Sequence, residues 1–277
     1  MPDIIEKISH SIIQHGPVNS RIYVMKLDER DGPSIIPYLE QLTSEKGYEK
    51  IFVKTPGRHR DVFVQAGYEQ EAIIPCYFKD REDAVFMAKY FSTARSRVMN
   101  RQHIIEVLAL THGSDFGRLS RRPHHFFRVE KCQPEDALEM SQVFKKVFET
   151  YPFPIFDPQY LIDSIHRHVT YFCIRKNRRI VALAAADIDP ANQAVEMTDF
   201  ATLSEYRRQG MAGCLLNAMD ADMRQQGMQT AFSIARSLSA GMNITFAKNG
   251  YRYGGTLDNN THIAGRIESM NIWYKHL

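Results

Sequence analysis

The chain has 277 residues, 44% of them hydrophobic, which is enough for the cores of two domains of ordinary size. Its formal net charge of +3 is too small to indicate a nucleic acid or an anionic membrane as partner, and the longest apolar runs, such as Ile180 to Ala186, are too short to span a bilayer. Four cysteines without a CxxC pair and a start without a signal-peptide pattern predict a reduced, cytoplasmic protein.

The first 91 residues alternate predicted strands with predicted helices, a pattern that is typical of an α/β domain. Strands are predicted over 21–27, 50–54 and 71–78, and helices over 34–46, 58–66 and 81–91. We assign residues 1–91 to a smaller α/β domain that precedes the rest of the chain.

Residues 92–125 form a predicted basic linker that contains one helix around the apolar stretch IIEVLAL. Its arginines could contact RNA or DNA, but no nucleic-acid motif accompanies them. We expect these arginines to lie on a solvated surface or to pair with other residues of the chain. The arginines are Arg95, Arg97, Arg101, Arg118, Arg121 and Arg122.

From residue 126 to 277 the pattern predicts a mixed central sheet flanked by helices. Predicted strands cover 126–132, 170–177, 179–188, 194–203, 230–235 and 268–275, with a loop over 151–158. Predicted helices cover 134–149, 210–226 and 240–248. The helix over 210–226 has one apolar face, formed by Met211, Leu215, Met219 and Met223.

The pattern F-x-x-x-G-Y occurs twice, in FVQAGYEQE (63–71) and in FAKNGYRYG (246–254). Each copy follows a predicted strand and ends a short predicted helix. Either the N-terminal domain is a degenerate copy of half of the second domain, or a helix-ending glycine and an aromatic residue coincide by chance.

The stretch SEYRRQGMAGCLL places positive and small residues where a helix begins, although the positive end of the helix dipole favours acidic ones. Small residues leave the free backbone N–H groups of the first turn open to an anion, and arginines add charge-assisted hydrogen bonds. We therefore predict an anion site here. It comprises Arg207, Arg208, Gln209, Gly210, Met211, Ala212 and Gly213.

Arg207-x-x-Gly210-x-Ala212 resembles the R/Q-x-x-G-x-G/A pyrophosphate loop of the GNAT superfamily of acetyl-CoA-dependent N-acetyltransferases. The order of elements from 126 to 277 and the second F-x-x-x-G-Y segment are similar to a complete GNAT domain. The resemblance implies the α+β GNAT fold and acetyl-CoA as cosubstrate. It also implies that a backbone N–H among Phe200, Ala201 and Thr202 binds the thioester oxygen.

Three longer segments resemble the β-lysine N-acetyltransferase family, and with their spacing they extend the resemblance over nearly the whole chain. They are HSIIQHGPVNSRIYVMKL, GYEQEAIIPCYF and TFAKNGYRYGGTLDNNTHIAGRIESMNIWYK. The resemblance implies acetylation of the ε-amine of β-lysine, which gives the compatible solute Nε-acetyl-β-lysine. Acetylation of another small amine or of a peptide lysine, and a CoA-binding regulatory module without catalysis, stay open as alternatives.

The target amine is almost wholly protonated at pH 7, so a base must lie near the thioester. Glu196 lies eleven residues before Arg207, the spacing at which some histone-acetylating GNATs carry their base. Asp199 is the other candidate, and strand alternation predicts that it points to the opposite face. A structural role is the alternative for both. Phe246 replaces the tyrosine that many GNATs use as acid. Tyr251, Tyr253 and Tyr274 are candidate substitutes, of which we take Tyr253, and departure of the thiolate without enzymatic protonation is the alternative.

β-Lysine carries one carboxylate and two ammonium groups, so its pocket should offer a cation and carboxylates. Arg236 is a candidate for the substrate carboxylate or a CoA phosphate, and Glu268 and Asn271 are candidates for the β-amine. The histidine pairs, at 124–125 and 166–168, lack acids or cysteines at metal spacing, so we expect no metal site. The oligomeric state stays open.

Overall fold

The computed structural model describes residues 3–79, 81–112 and 127–277, and their strands form one mixed sheet. The part up to residue 112, here the N-terminal half, contains β1 (Ile4–Ile8), β2 (Ser11–Gly16), β3 (Arg21–Lys26), β4 (Lys50–Pro56), β5 (Glu69–Phe78) and β6 (Glu82–Tyr90). The C-terminal half, from residue 127, contains β7 (Val129–Lys131), β8 (Val169–Lys176), β9 (Arg179–Asp189), β10 (Ala194–Thr202), β11 (Thr230–Arg236), β12 (Arg252–Ile263) and β13 (Arg266–His276).

Helices cover both faces of the sheet. They are α1 (Ile36–Lys46), α2 (Arg60–Gln65), α3 (Thr93–Ser96), α4 (Arg101–Ala109), α5 (Ala137–Val147), α6 (Pro158–Arg167), α7 (Met211–Gln225) and α8 (Ala240–Lys248). No helix within the described ranges is long and apolar enough to cross a membrane.

Across the sheet the strands follow the order β1-β2-β3-β4-β6-β5-β12-β13-β11-β10-β9-β8-β7. Only β3 with β4, and β10 with β11, run parallel among the neighbouring pairs in the described residues. The α/β fold with a mixed sheet and flanking helices is therefore confirmed.

The core of the C-terminal half lies on both sides of its strands. The predicted apolar face of α7, with Met211, Leu215, Met219 and Met223, is buried against one side. Helices α5 and α6 cover the other side. Strand β8 contributes alternate residues to the two clusters, as expected for a strand between two helix layers.

The two F-x-x-x-G-Y copies have the same local geometry. Phe63 and Tyr68 pack edge to face with ring centroids 5.2 Å apart, and Phe246 and Tyr251 do the same at 5.2 Å. In each copy the tyrosine N–H donates to the phenylalanine carbonyl, at 3.0 Å and 3.1 Å.

Contacts outside the motif repeat as well. Lys89 Nζ donates to the Ala66 carbonyl at 2.8 Å, and Lys275 Nζ donates to the Asn249 carbonyl at 2.9 Å. The strand order β2-β3-β4-β6-β5 is also matched by β9-β10-β11-β13-β12. These agreements favour an internal copy over chance.

The helix predicted over 81–91 is wrong, because these residues form β6. Residues 84–88 are all buried, and β6 pairs with β4 on one edge and β5 on the other. Alanine, methionine and lysine favour helices in isolation, but here pairing on both edges overrides that propensity.

Five elements, β1, β2, β12, α3 and α6, were not predicted, whereas the remaining predicted strands and helices are present, most of them with shifted ends. A local signal for α6 existed: Asp157 caps the helix by accepting a hydrogen bond from the Gln159 N–H at 2.9 Å, and Pro158 occupies its first turn. Strand β12 was not predicted because it contains glycine and asparagine, which are uncommon in strands.

The predicted linker contains the expected helix, α4, and two of its three described arginines form ion pairs within the chain, whereas Arg97 is exposed. Arg95 pairs with Glu49 at 3.4 Å, and Arg101 pairs with Asp258 at 2.6 Å. The boundary predicted at 125–126, the histidines at 124–125 and the arginines at 118, 121 and 122 lie outside the described residues.

The two halves meet where β5 and β12 pair at Ala72 and Gly255. Gly255 has a φ of +136°, and a Cβ there would lie 2.6 Å from the Ala72 Cα. This close approach requires glycine, and it brings the N-terminal half against the C-terminal one.

Candidate functional site

The site opens where two parallel strands separate. β10 and β11 pair only from Ala194–Thr230 to Glu196–Phe232. Beyond that point β10 stays paired with β9 as far as Thr202, and β11 stays paired with β13 as far as Arg236. The backbone groups that would have joined the two strands therefore face a gap.

A cavity of about 910 Å³ fills this gap. Its walls come from β10, β11, the start of α7, α8, α6 and the loop before α6. The N-terminal half contributes a further wall through β3 and β4. One cavity thus joins the predicted anion site to the interior of the sheet.

The predicted anion site lies at the mouth of this cavity. Gly210 caps α7 with a φ of +81°, and the first turn of α7 contains no acidic residue. The Arg207 Nε donates to the Thr202 carbonyl at 3.1 Å, which fixes this arginine near the end of β10. The cavity-lining members are Arg207, Arg208, Gly210, Met211, Ala212 and Gly213.

Gln209 is exposed and does not line the cavity. Phe200 and Thr202 line it, whereas the Ala201 side chain is buried in the core. The roles predicted for the 200–202 backbone and for Gln209 stay predictions.

Glu196 and Asp199 line the same cavity, so the prediction that they point to opposite faces is wrong. A β-bulge between Thr198 and Ala201, with Asp199 at a φ of +56°, interrupts the strand alternation. The bulge therefore turns both carboxylates toward one space.

Glu196 is held in a setting that disfavours its charged form. It accepts no hydrogen bond from the described residues, and Asp187 lies directly opposite it on β9. Burial raises the pKa of Glu196 to about 8; the charges of Asp187 and Asp199 raise it too, while Lys54 opposes them. A carboxylate with such a pKa is a stronger base than an ordinary glutamate.

Asp199 differs because it has hydrogen-bond donors. The Tyr151 hydroxyl donates to its Oδ1 at 2.5 Å, and Thr198 donates at 3.3 Å. Burial raises the pKa of Asp199 to about 6, although these two hydrogen bonds lower it. Asp199 is therefore the more acidic carboxyl of the pair.

Tyr253 lies away from this cavity. It lines a separate cavity of about 440 Å³, and its hydroxyl shares a hydrogen bond with Thr256 at 2.5 Å. Phe246 is buried against Phe200 and Tyr251. The structure thus does not bring Tyr253 together with Glu196, and its role as acid stays a prediction.

Of the three residues predicted to bind substrate, only Arg236 lines the cavity. Its guanidinium is paired with Glu268 through two hydrogen bonds of 2.9 Å, and Arg266 adds a third contact to Glu268. Burial alone would raise the pKa of Glu268, but these ion pairs outweigh it and lower the pKa.

Asn271 is buried and hydrogen-bonded to Asn243 and Thr256, each at 2.8 Å. The β-amine roles of Glu268 and Asn271 stay predictions, with both side chains already engaged inside the protein.

Sequence reasoning missed several cavity residues. Asp187 directly follows the buried apolar residues of β9, and an acid at such a position indicates that it has an unusual environment. Arg21, Tyr23 and Phe52 come from the N-terminal half, and no local pattern indicated that they reach this site. In the described part of the chain, no group of three or more His, Cys, Asp or Glu side chains is placed to hold a metal ion.

The acetyltransferase (GNAT) family model matches residues 136–251, which contain the separated strands and the start of α7. The chain is 39% identical over 279 residues to the β-lysine N(6)-acetyltransferase of Methanococcus maripaludis, covering 99% of each chain. It is 32% identical over 273 residues to the N-acetyltransferase YodP of Bacillus subtilis, covering 96% of each. It is 28% identical over 259 residues to the β-lysine N(6)-acetyltransferase of Methanosarcina mazei, covering 86% of this chain and 95% of that one.

The raised pKa of Glu196 predicts a pH-dependent effect of Glu196→Gln on stability. The folded-state pKa is about 8 and the ordinary value is 4.5, so the stability linked to this proton is complete below pH 4.5 and is lost as pH rises through 8. Glutamine stays neutral throughout. We expect the free energy of unfolding of the variant, relative to wild type, to increase between pH 5 and 8.

Urea unfolding at several pH values measures this difference. Ser233→Ala, which changes a neutral cavity-lining side chain, is the control and should give a difference that does not vary with pH. A constant difference for Glu196→Gln would show that Glu196 ionises as an ordinary glutamate.

Proposed function

The chain belongs to the β-lysine N(6)-acetyltransferase family of GNAT acetyltransferases, and we propose that it transfers the acetyl group of acetyl-CoA to the ε-amine of β-lysine. The observation that carries this proposal is the cavity between β10 and β11, which joins the predicted anion site at the start of α7 to a cluster of carboxylates. An acyl donor with a pyrophosphate and an acceptor with ammonium groups fit its two parts.

In this proposal the start of α7 binds the pyrophosphate of acetyl-CoA. The free N–H groups of the first helical turn and the helix dipole attract an anion, and Arg207 and Arg208 add positive charge. Acetyl-CoA supplies the thioester. The backbone of β10 from Phe200 to Thr202 is the candidate donor to the thioester oxygen, because it lies in the stretch of β10 that is not paired with β11.

The acceptor amine must lose a proton before it attacks. Its ordinary pKa near 10.4 makes this step cost about 4–5 kcal/mol at pH 7. Glu196 is the proposed base, because a raised pKa matches its proton affinity more closely to that of the amine. The neutral amine then forms the C–N bond to the acetyl carbon, the C–S bond breaks as CoA leaves as its thiolate, and the thiolate takes up the second proton that the nitrogen loses.

The remaining carboxylates suit a substrate with two ammonium groups. Asp187 and Asp199 line the cavity beside Glu196, so one ammonium can be bound while Glu196 accepts a proton from the other. A regulatory module that only binds CoA would have no use for such a carboxylate cluster.

We predict that Gly210→Glu abolishes CoA binding while the protein stays folded. The glutamate would put bulk and negative charge at the proposed pyrophosphate site. The matched control is Gly227→Glu, because Gly227 follows the other end of α7 with the same φ of +81° and has open space around it. Calorimetry with CoA measures both variants, and unchanged affinity in Gly210→Glu would contradict this site.

Glu196→Gln should lower kcat/KM for β-lysine by about 10²–10⁴, the usual range for loss of a general base. Wild-type kcat/KM should rise with pH and level off near 8, where Glu196 is ionised. The variant must use amine that is already neutral, so its kcat/KM should continue to rise above pH 9. If the variant keeps the wild-type profile and Asp199→Asn loses it, Asp199 is the base.

The substrate assignment is tested by release of CoA thiol with β-lysine, α-lysine, cadaverine and a lysine-containing peptide. We expect α-lysine to react about 10–100-fold less efficiently than β-lysine, because its second ammonium is displaced by one carbon. Cadaverine and the peptide should be poorer still. Mass spectrometry of the product should locate the acetyl group on the ε-nitrogen. Equal efficiency for all amines would point to a general amine acetyltransferase instead.

A further inference from the structure

A buried arginine of the N-terminal half lines the cavity that holds Glu196. Arg21, Tyr23 and Met25 are alternate residues of β3, so they share one face of that strand, and all three line the cavity. Arg21 is only 3% exposed. Arg21 is therefore a buried cationic residue in the wall of the cavity.

The guanidinium of Arg21 has donors to spare. Nη1 donates to the Asn260 carbonyl and to Thr261 Oγ1, the latter at 2.8 Å, and Nη2 reaches Gln14 Oε1 at a long 3.4 Å. Nε has no hydrogen-bond partner within the described structure. A guanidinium carries five N–H donors, so these contacts orient the group without saturating it.

Arg21 also lacks a carboxylate partner in the described ranges, unlike its buried neighbours. Lys50 pairs with Glu71 at 2.8 Å, and Arg95 pairs with Glu49 at 3.4 Å. Burial, and next the charge of Arg95, lower the pKa of Arg21 to about 9. An unpaired buried cation is costly, so an anion that enters the cavity would be bound strongly here.

The cavity therefore has lining groups of both charges. Arg21 lines it, and so do Glu196, Asp187 and Asp199. Burial raises the pKa of Tyr23, and the charges of Glu196 and Arg21 also act on this pKa. The Tyr23 ring stacks on the Phe52 ring, with centroids 4.1 Å apart, and the two form an apolar surface. A positive group, an apolar strip and a negative group in one cavity match an amino acid that carries an amine on an aliphatic chain.

We propose that Arg21 binds the carboxylate of the amine substrate, so that the N-terminal half selects amino acids over simple diamines. This inference rests on the proposed acetyl transfer to a small amine. Arg236 is the less suitable cation because Glu268 already occupies its guanidinium. The remaining lining arginines, Arg167, Arg207 and Arg208, are exposed.

The test compares two substrates that differ only in the carboxyl group, β-lysine and 1,4-diaminopentane. Wild type should prefer β-lysine. Arg21→Gln should lower kcat/KM for β-lysine by about 10–100-fold, mainly through KM, because a charged contact is lost. The same variant should leave kcat/KM for 1,4-diaminopentane within about threefold of wild type. A purely structural role would lower both values by the same factor.

Two further variants complete the test. Arg95→Gln removes a neighbouring buried arginine that also donates to the β12 backbone but does not line the cavity, and it should leave the ratio of the two substrates unchanged. Arg21→Lys keeps the charge but loses the planar fork, so its ratio should lie between those of wild type and Arg21→Gln. If Arg21→Gln does not fold, judged by calorimetric CoA binding, Arg21→Lys decides: an unchanged ratio overturns the proposal.

Failure of the substrate assignment can be told apart from failure of this inference. If wild type prefers α-lysine to β-lysine, the β-lysine assignment is wrong, and the same variants are compared on α-lysine and cadaverine, which also differ only in the carboxyl group. A wild-type enzyme without preference for the carboxylated member of either pair overturns the role of Arg21.

Discussion

The separation of β10 from β11 is the constraint on which the site depends. Each of these strands is paired with another neighbour. β10 stays paired with β9 through a bulge, and β11 stays paired with β13 to its end. Closing the gap would break one of these antiparallel ladders. The gap therefore persists, and its unpaired backbone groups need another partner, which a bound ligand can supply. Helix α7 begins beside this gap, so the same break in pairing brings the predicted anion site next to the sheet interior.

The N-terminal half is fixed to the cavity by buried charges that meet one short segment of β12. The pairing of β12 with β13 shifts between Leu257 and Thr261, which leaves carbonyl groups there free of the strand ladder. The carbonyls of residues 258, 259 and 260 accept hydrogen bonds from Lys50, Arg95 and Arg21 respectively. Because each cation comes from the N-terminal half, this segment holds β3 and β4 in position as a wall of the cavity.

The helix start that carries the predicted anion site could be predicted from sequence, because Arg207 to Gly213 form one stretch where local rules for helix starts apply. Glu196 was predictable as a candidate from its spacing to that stretch. That Glu196 and Asp199 line the same cavity could not be predicted, because a bulge reverses the strand alternation without a local sequence signal. Strand β6, and Arg21 as a cavity residue, could not be predicted for a related reason. The pairing of β6 on two edges, and a cavity wall formed by a distant strand, are long-range properties.

In the proposed reaction, burial more than charge would keep Glu196 basic while an amine with two positive groups binds beside it. An ammonium held by Asp187 or Asp199 would cancel part of the negative charge that raises the pKa of Glu196. Burial is the largest cause of that raised pKa, however, and a bound substrate that excludes water maintains it. The base strength of Glu196 in the complex is therefore set mainly by how completely the cavity is closed, and the N-terminal wall supplies part of that closure.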